Sequence, residues 1–244
     1  MIRFILTLLW TIIFLVGSLP LLFVTWIIGF FSPNTKSKIS RAAIQFAFNV
    51  LIFLSGSKVE FRGLEKVPTD RAVLYCPNHR SLYDIIMTYT KVPRPTGYVA
   101  KKETKKVPIF NVWMSFIHCQ FLDRKDLRQG LQVILKCTEL VKSGISICIF
   151  PEGTRNKGTD DFLPFHDGSF KIAEKTKCPI VPVAIVNSQA VFENQLPWIR
   201  ASHVIIEYCD PIEVEGMSRE EFKGISSRVH DAISEAYHRN IEEI

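Results

Sequence analysis

From Phe4 to Phe31 the chain carries no charged side chain. At ~1.5 Å rise per residue, about 28 helical residues reach ~42 Å, more than the ~30 Å hydrocarbon core of a bilayer. Such a run points to membrane insertion. Gly17-Ser18-Leu19-Pro20 interrupts it near the middle. Proline lacks an N–H and clashes with the preceding turn, so a kinked, tilted span or a hairpin that dips in and returns is expected. The run is too long for a secretory signal, and no small-x-small cleavage site follows it.

The next apolar segment, Ile39 to Leu54, covers only ~24 Å as a helix and is expected not to cross. Arg41, Gln45 and Asn49 recur at i, i+4 and i+8, a polar stripe on an otherwise apolar helix. Three placements fit: in the membrane interface, against the first helix, or in the core with one wet edge. Lys36, Lys38 and Arg41 flank the apolar run, which predicts a cytoplasmic membrane location with the remainder on the cytoplasmic side. Residues 1–57 are thus read as a membrane-anchoring helical segment and 58–244 as a separate domain.

In that second part short apolar runs alternate with helical patterns. Strands are predicted at Lys58–Phe61, Ala72–Cys76, Gly97–Ala100, Cys119–Leu122, Ile145–Phe150, Ile180–Ile185 and His203–Tyr208. Helices are predicted at Leu82–Tyr89, Pro108–Phe116, Leu127–Val141, Phe170–Lys175 and Arg219–Asn240, the last with a buried stripe of Phe222, Ile225, Val229, Ile233 and Tyr237. The alternation specifies an α/β fold, a largely parallel or mixed sheet flanked by helices. With 47% apolar and 22% charged residues the chain folds rather than remaining disordered. Its six cysteines are dispersed, without zinc spacing, and read as small hydrophobes of a reduced domain. The net charge of +6 suggests an anionic partner: nucleic acid, lipid headgroup or phosphate.

"NHRSLYD", Asn78 to Asp84, follows the second strand. Ser81 and Asp84 have the spacing of a capping box. His79 and Asp84 are also an imidazole and a carboxylate that together can form a general base. In a regular helix, positions five apart diverge by ~140°. If Ser81 is the N-cap, however, His79 lies outside the helix and the pair can meet, so capping and catalysis are compatible. The spacing alone is unspecific: His118 and Asp123 repeat it on a predicted strand, where they should point to opposite faces.

"FPEGTR", Phe150 to Arg155, places Glu152, Gly153, Thr154 and Arg155 just beyond a strand, either as a polar substrate site or as a tight turn with a solvated ion pair. Lys101 and Arg124 follow two further strands. Three cations at strand ends suit phosphate, for which arginine offers a two-pronged donor. No G-x-S-x-G elbow, Walker loop, G-x-G-x-x-G or H-E-x-x-H motif is present. Ser81 is better explained as a cap than as a nucleophile, so a His–Asp pair would deprotonate a hydroxyl of the substrate itself. A backbone amide near Gly153 is a candidate oxyanion donor.

"NHRSLYD", "FLDR" (Phe121 to Arg124), "FPEGTR" and "VPVAI" (Val181 to Ile185), in this order, resemble the four motifs of the glycerolipid acyltransferases, most closely the bacterial branch that acylates lysophosphatidic acid. The resemblance covers roughly residues 58 to 210, with weaker matches at "AKKE" and "GSFKIA"; four ordered motifs are specific where one is not. It departs at His166-Asp167, where a lysine is expected after the Phe, and no role is carried to those positions.

The resemblance implies transfer of a fatty acyl group from acyl-CoA or acyl-carrier protein to the 2-hydroxyl of lysophosphatidic acid, giving phosphatidic acid. His79 would be the general base and Asp84 its orienting partner. Arg124 and Arg155, with Lys101, would hold the phosphate, while Glu152, Gly153 and Thr154 would shape the acceptor site. No metal or cofactor is implied beyond the acyl donor, and the partners are membrane lipids rather than nucleic acid. Acylation of glycerol 3-phosphate or another lysolipid, and non-catalytic binding of anionic lipid, are the rival readings.

Overall fold

The computed structural model describes residues 1–158 and 162–244. The long uncharged run forms two helices, α1 (Ile2–Gly17) and α2 (Leu19–Phe31), bent by 46° at the break between them. Pro20 sits in the first turn of α2, where a missing N–H costs nothing. Ser18 at the break is held from two sides. Its Oγ donates to the Leu15 carbonyl at 3.2 Å and accepts from the buried Trp113 indole N–H at 3.0 Å.

Helix α3 (Pro33–Ser55) has 23 residues and is long and apolar enough to cross a membrane, as α1 and α2 are when taken together. This corrects the expectation that the segment at Ile39–Leu54 is too short. Capping, rather than hydropathy, sets the boundary: Ser32 accepts from the Thr35 N–H, Pro33 takes the first helical position, and Gly56 closes the end at φ 70°. Lys36 and Lys38 therefore lie inside the helix. Two of the three stripe residues, Arg41 and Gln45, face the α/β layer, whereas Asn49 is exposed. Gln45 Nε2 donates to the carbonyls of Tyr89, Thr90 and Val92 at 3.2–3.3 Å, and Arg41 donates to those of Val92 and Pro93. Those carbonyls include the orphan acceptors at a helix C-terminus, which need such partners when buried. Only Asn49 turns back, onto its own helix at the Gln45 carbonyl.

The strands are β1 (Lys58–Arg62), β2 (Leu74–Pro77), β3 (Thr96–Lys101), β4 (Gln120–Leu122), β5 (Ser146–Cys148), β6 (Ile180–Val186) and β7 (His203–Tyr208). They form one sheet in the order β1-β7-β6-β2-β5-β3-β4. Every pairing is parallel except β6 with β7, so the sheet is mixed and mostly parallel, as predicted. From β2 the chain moves to one side for β3 and β4, returns at β5, then passes to the other side for β6. This reversal around β2 opens a crevice at the carboxyl ends of the strands.

Between the strands run α4 (Leu82–Tyr89), α5 (Phe110–Phe116), α6 (Leu127–Lys142) and α7 (Lys171–Thr176). Side chains alternate across the sheet. Val73, Tyr75, Val181, Val183 and Ile185 enter one buried cluster together with residues of α3, α4 and α5. Leu74, Cys76, Ile180, Ala184 and Val186 enter a second, with α6 and α7. Covering both faces is why the strands read as continuous apolar runs. The predicted C-terminal helix divides at Gly224 into α8 (Arg219–Lys223) and α9 (Ile225–Ile241), a correction at the one residue of that span that disfavours helix. Its five-residue stripe is buried on both sides of the break.

Candidate active site

Pro77 ends β2, and the loop leaves the sheet at a fixed point because Asn78 takes over the strand's pairing. Its side chain donates to the Ile185 carbonyl at 2.9 Å and accepts from the Ile185 N–H at 2.7 Å. Three residues on, Ser81 is the N-cap of α4. Its Oγ accepts from the Tyr83 N–H at 3.0 Å, and Asp84 Oδ2 accepts from the Ser81 N–H at 2.7 Å, completing the capping box. The same oxygen accepts from the Arg80 N–H at 2.7 Å and lies 2.8 Å from His79 Nδ1. One cap oxygen thus gathers three donors, and the helix start itself builds the His79–Asp84 pair. The carboxylate fixes the Nδ1–H tautomer and leaves Nε2 as the base.

Asp84 is fully buried and the His79 side chain is 11% exposed. The imidazole stacks on Phe150 with ring centroids 3.9 Å apart at 25°, and its Nε2 makes no hydrogen bond among the described residues. Its main chain is clamped as well: the His79 N–H donates to Glu152 Oε1 at 2.7 Å, and its carbonyl accepts from the Asn156 N–H at 2.8 Å. The ring is held at every point except the nitrogen that would take a proton.

His118 and Asp123 show how little the spacing guarantees. His118 has a φ of 63° and its Nε2 bonds Ser37 Oγ of α3 at 2.7 Å, whereas Asp123 pairs with Lys102 and accepts from the Lys125 N–H. The two do not meet.

The turn after β5 carries four predicted site residues, and they divide. Glu152 is buried and spends both oxygens inside the protein, on the His79 N–H and on the Leu163 N–H at 3.0 Å. Burial raises its pKa above the ordinary carboxylate value. Gly153 has a φ of 66°, which favours glycine, and an added Cβ would lie 2.9 Å from Cδ2 of the exposed His166 side chain, which would have to shift. Its N–H donates to the Phe150 carbonyl at 3.0 Å and is not available to an oxyanion; the Thr154 amide has no such bond among the described residues. Thr154 and Arg155 are exposed, and Arg155 Nη1 pairs with Glu193 Oε1 at 2.8 Å. His166, where the family resemblance breaks, lies exposed against this turn.

Lys101 ends β3, exposed and 3.6 Å from Glu103; Arg124 lies just past β4, exposed and without an ion pair among the described residues. Because β2 to β6 run parallel, these cations share one sheet edge with the dyad. The structure joins His79, Asp84 and Glu152 in one hydrogen-bonded cluster and links Arg155 to it through Glu193. Lys101 and Arg124 do not touch that cluster. Neither Glu193 nor a ring contact from Phe150 is foreseen by the sequence reading. The cysteines supply no nucleophile: all six are buried, and burial pushes the Cys119 and Cys137 thiols up to about 12.

Comparison with known proteins adds to this geometry. A family model described as Acyltransferase matches residues 58–186. A 1-acyl-sn-glycerol-3-phosphate acyltransferase of Haemophilus influenzae is 31% identical over 203 residues, covering 81% of each chain. One from Cocos nucifera is 30% identical over 182 residues, 74% of this chain; the match spans 58% of that relative's length. The crystal structure of the 1-acyl-sn-glycerophosphate (LPA) acyltransferase PlsC from Thermotoga maritima superposes with a TM-score of 0.75 at 24% identity, over 99% of this chain and 97% of the other. That likeness establishes the shared fold, N-terminal helices included.

Proposed function

The chain belongs to the acyltransferase family, and from that premise we propose that it acylates the 2-hydroxyl of lysophosphatidic acid, using acyl-CoA or acyl-carrier protein and producing phosphatidic acid. The observation that carries this reading is the 2.8 Å contact between His79 Nδ1 and Asp84, with Nε2 left unbonded at the carboxyl edge of the sheet. A base presented this way needs no protein nucleophile. As the acceptor oxygen attacks the thioester carbonyl, its proton passes to His79 Nε2. Asp84 stabilises the imidazolium, which returns the proton to the departing thiolate as the C–S bond breaks. Fixing the hydroxyl beside Nε2 through the acceptor's phosphate removes orientational freedom before the chemistry begins. Arg155, Arg124 and Lys101 are assigned to that phosphate, and Glu152 is assigned to holding the base. Residues 1–57 are assigned to the cytoplasmic membrane, where acceptor and product reside, with the α/β domain on its cytoplasmic side.

The test is a purified full-length preparation assayed with each donor against lysophosphatidic acid, glycerol 3-phosphate and other lysolipids. Lysophosphatidic acid is expected to be the preferred acceptor, and His79→Ala is expected to abolish transfer while membrane association persists. Wild-type turnover by that variant would refute the base assignment. No turnover with any acceptor would favour a lipid-binding protein.

A further inference from the structure

Glu193 lies in a short 3-10 turn, Glu193–Gln195, between β6 and β7, and belongs to none of the motifs. Its Oε1 accepts from Arg155 Nη1 at 2.8 Å and from the Leu82 N–H at 2.7 Å, and its Oε2 accepts from Ser81 Oγ at 2.5 Å. Leu82 and Ser81 are the first residue and the cap of α4, the helix start that assembles His79 with Asp84. One carboxylate therefore touches both the phosphate-facing arginine, 38 residues back in the sequence, and the frame of the base, 111–112 residues back.

We propose that Glu193 is a positioning residue that fixes Arg155 relative to the His79–Asp84 dyad and so sets acceptor affinity; the inference rests on the acyl-transfer reading above. Three features support it. The Glu193 side chain is only 16% exposed and its oxygens are already engaged, so it does not present a charge of its own to an incoming phosphate. It engages Nη1, and among the described residues the Nε and Nη2 of this 44% exposed guanidinium have no partner and can meet two phosphate oxygens. An arginine otherwise keeps substantial rotamer freedom, which acceptor binding would have to quench; a partner held by backbone and cap bonds removes that freedom beforehand. The α4 N-terminus itself is not the phosphate site, because its leading amides already serve Asp84, Ser81 and Glu193.

The experiment compares wild type, Glu193→Gln, Glu193→Ala, Arg155→Ala and the double variant Glu193→Ala/Arg155→Ala, full length, with saturating donor and varied lysophosphatidic acid. Gln keeps an oxygen for the Leu82 N–H while losing the charge on Arg155. We expect Glu193→Gln to raise the acceptor KM about tenfold, the equivalent of one charge-assisted contact, with donor KM and melting temperature unchanged. In the Arg155→Ala background the Glu193→Ala change should add little. An unchanged acceptor KM in Glu193→Gln would overturn the proposal. So would a lowered KM, which would make Glu193 a competitor of the phosphate, or a full additive loss in the double variant, which would make its role purely structural. Wild-type turnover on lysophosphatidic acid is read in the same assay, so failure of the acyl-transfer reading is seen separately.

Discussion

Asp84→Asn separates the two duties of the carboxylate. In the structure a single oxygen, Oδ2, receives the N–H groups of Arg80 and Ser81 and faces His79 Nδ1, whereas Oδ1 is buried with no partner among the described residues. An asparagine placed here cannot turn its NH2 toward two N–H donors, so its carbonyl oxygen must take the Oδ2 position. The imidazole then keeps its tautomer, and what is lost is the negative charge beside the imidazolium. For unit charges ~4 Å apart at an effective dielectric near 20, that is about 4 kcal/mol, or roughly a thousandfold in kcat. The NH2 falls into the unpartnered Oδ1 position, at a stability cost of about 1–3 kcal/mol. Thiol release from acyl-CoA in the presence of lysophosphatidic acid gives kcat, and urea unfolding gives stability. Asp84→Asn should be roughly a thousandfold slower than wild type yet measurably faster than His79→Ala. A kcat within tenfold of wild type would refute the electrostatic argument. Activity as low as His79→Ala would refute the argument that Arg80 and Ser81 preserve the tautomer.

Two further outcomes follow from the turn after β5. Gly153→Ala combines a left-handed φ of 66° with a Cβ 2.9 Å from His166. It should cost about 1–2 kcal/mol in urea unfolding from the backbone alone, and adding His166→Ala should recover only the steric excess; complete recovery would show that φ is not the cause. Glu152 tests the sign of a buried charge. Burial raises its pKa above 4.5, so the folded chain holds this proton more tightly than the unfolded chain. Its favourable contribution is present below about 4.5 and is lost as pH rises through the folded value. The stability of wild type relative to Glu152→Gln should therefore fall across that window, and a pH-independent difference would contradict the assignment.

What the sequence made legible was local. The cap at Ser81 declares itself within four residues and its capping box forms, as does the box of Ser218 with Glu221, spelled S-x-x-E in the sequence, at the start of α8. Short apolar runs mark all seven strands, and the N-cap argument explains why His79 meets Asp84 while His118 and Asp123 stay apart. Two kinds of feature are less legible. The beginning of α3 is local but masked, because Lys36 and Lys38 break the apolar run inside a helix that Ser32 and Pro33 start; the others depend on distant partners. Glu152 reads as a ligand-facing acid until the His79 and Leu163 amides, 73 and 11 residues away, are seen to claim it. Glu193 carries no local signal at all, since its three partners are brought to it only by the crossing of the chain from β5 to β6 and back.

Helix α4 also behaves as a strut. Its eight residues measure ~12 Å; at one end Gln45 of α3 holds its terminal carbonyls, and at the other it carries the dyad. Trp113 makes a second rigid tie, to the bend at Ser18. The N-terminal helices and the imidazole are thus joined through α4, so a tilt of those helices bears on the position of Nε2. The height and bearing of the base above whatever surface receives the helices depend on how they are seated there. The acceptor is left as the part that moves, and only a hydroxyl carried to that level can meet the base.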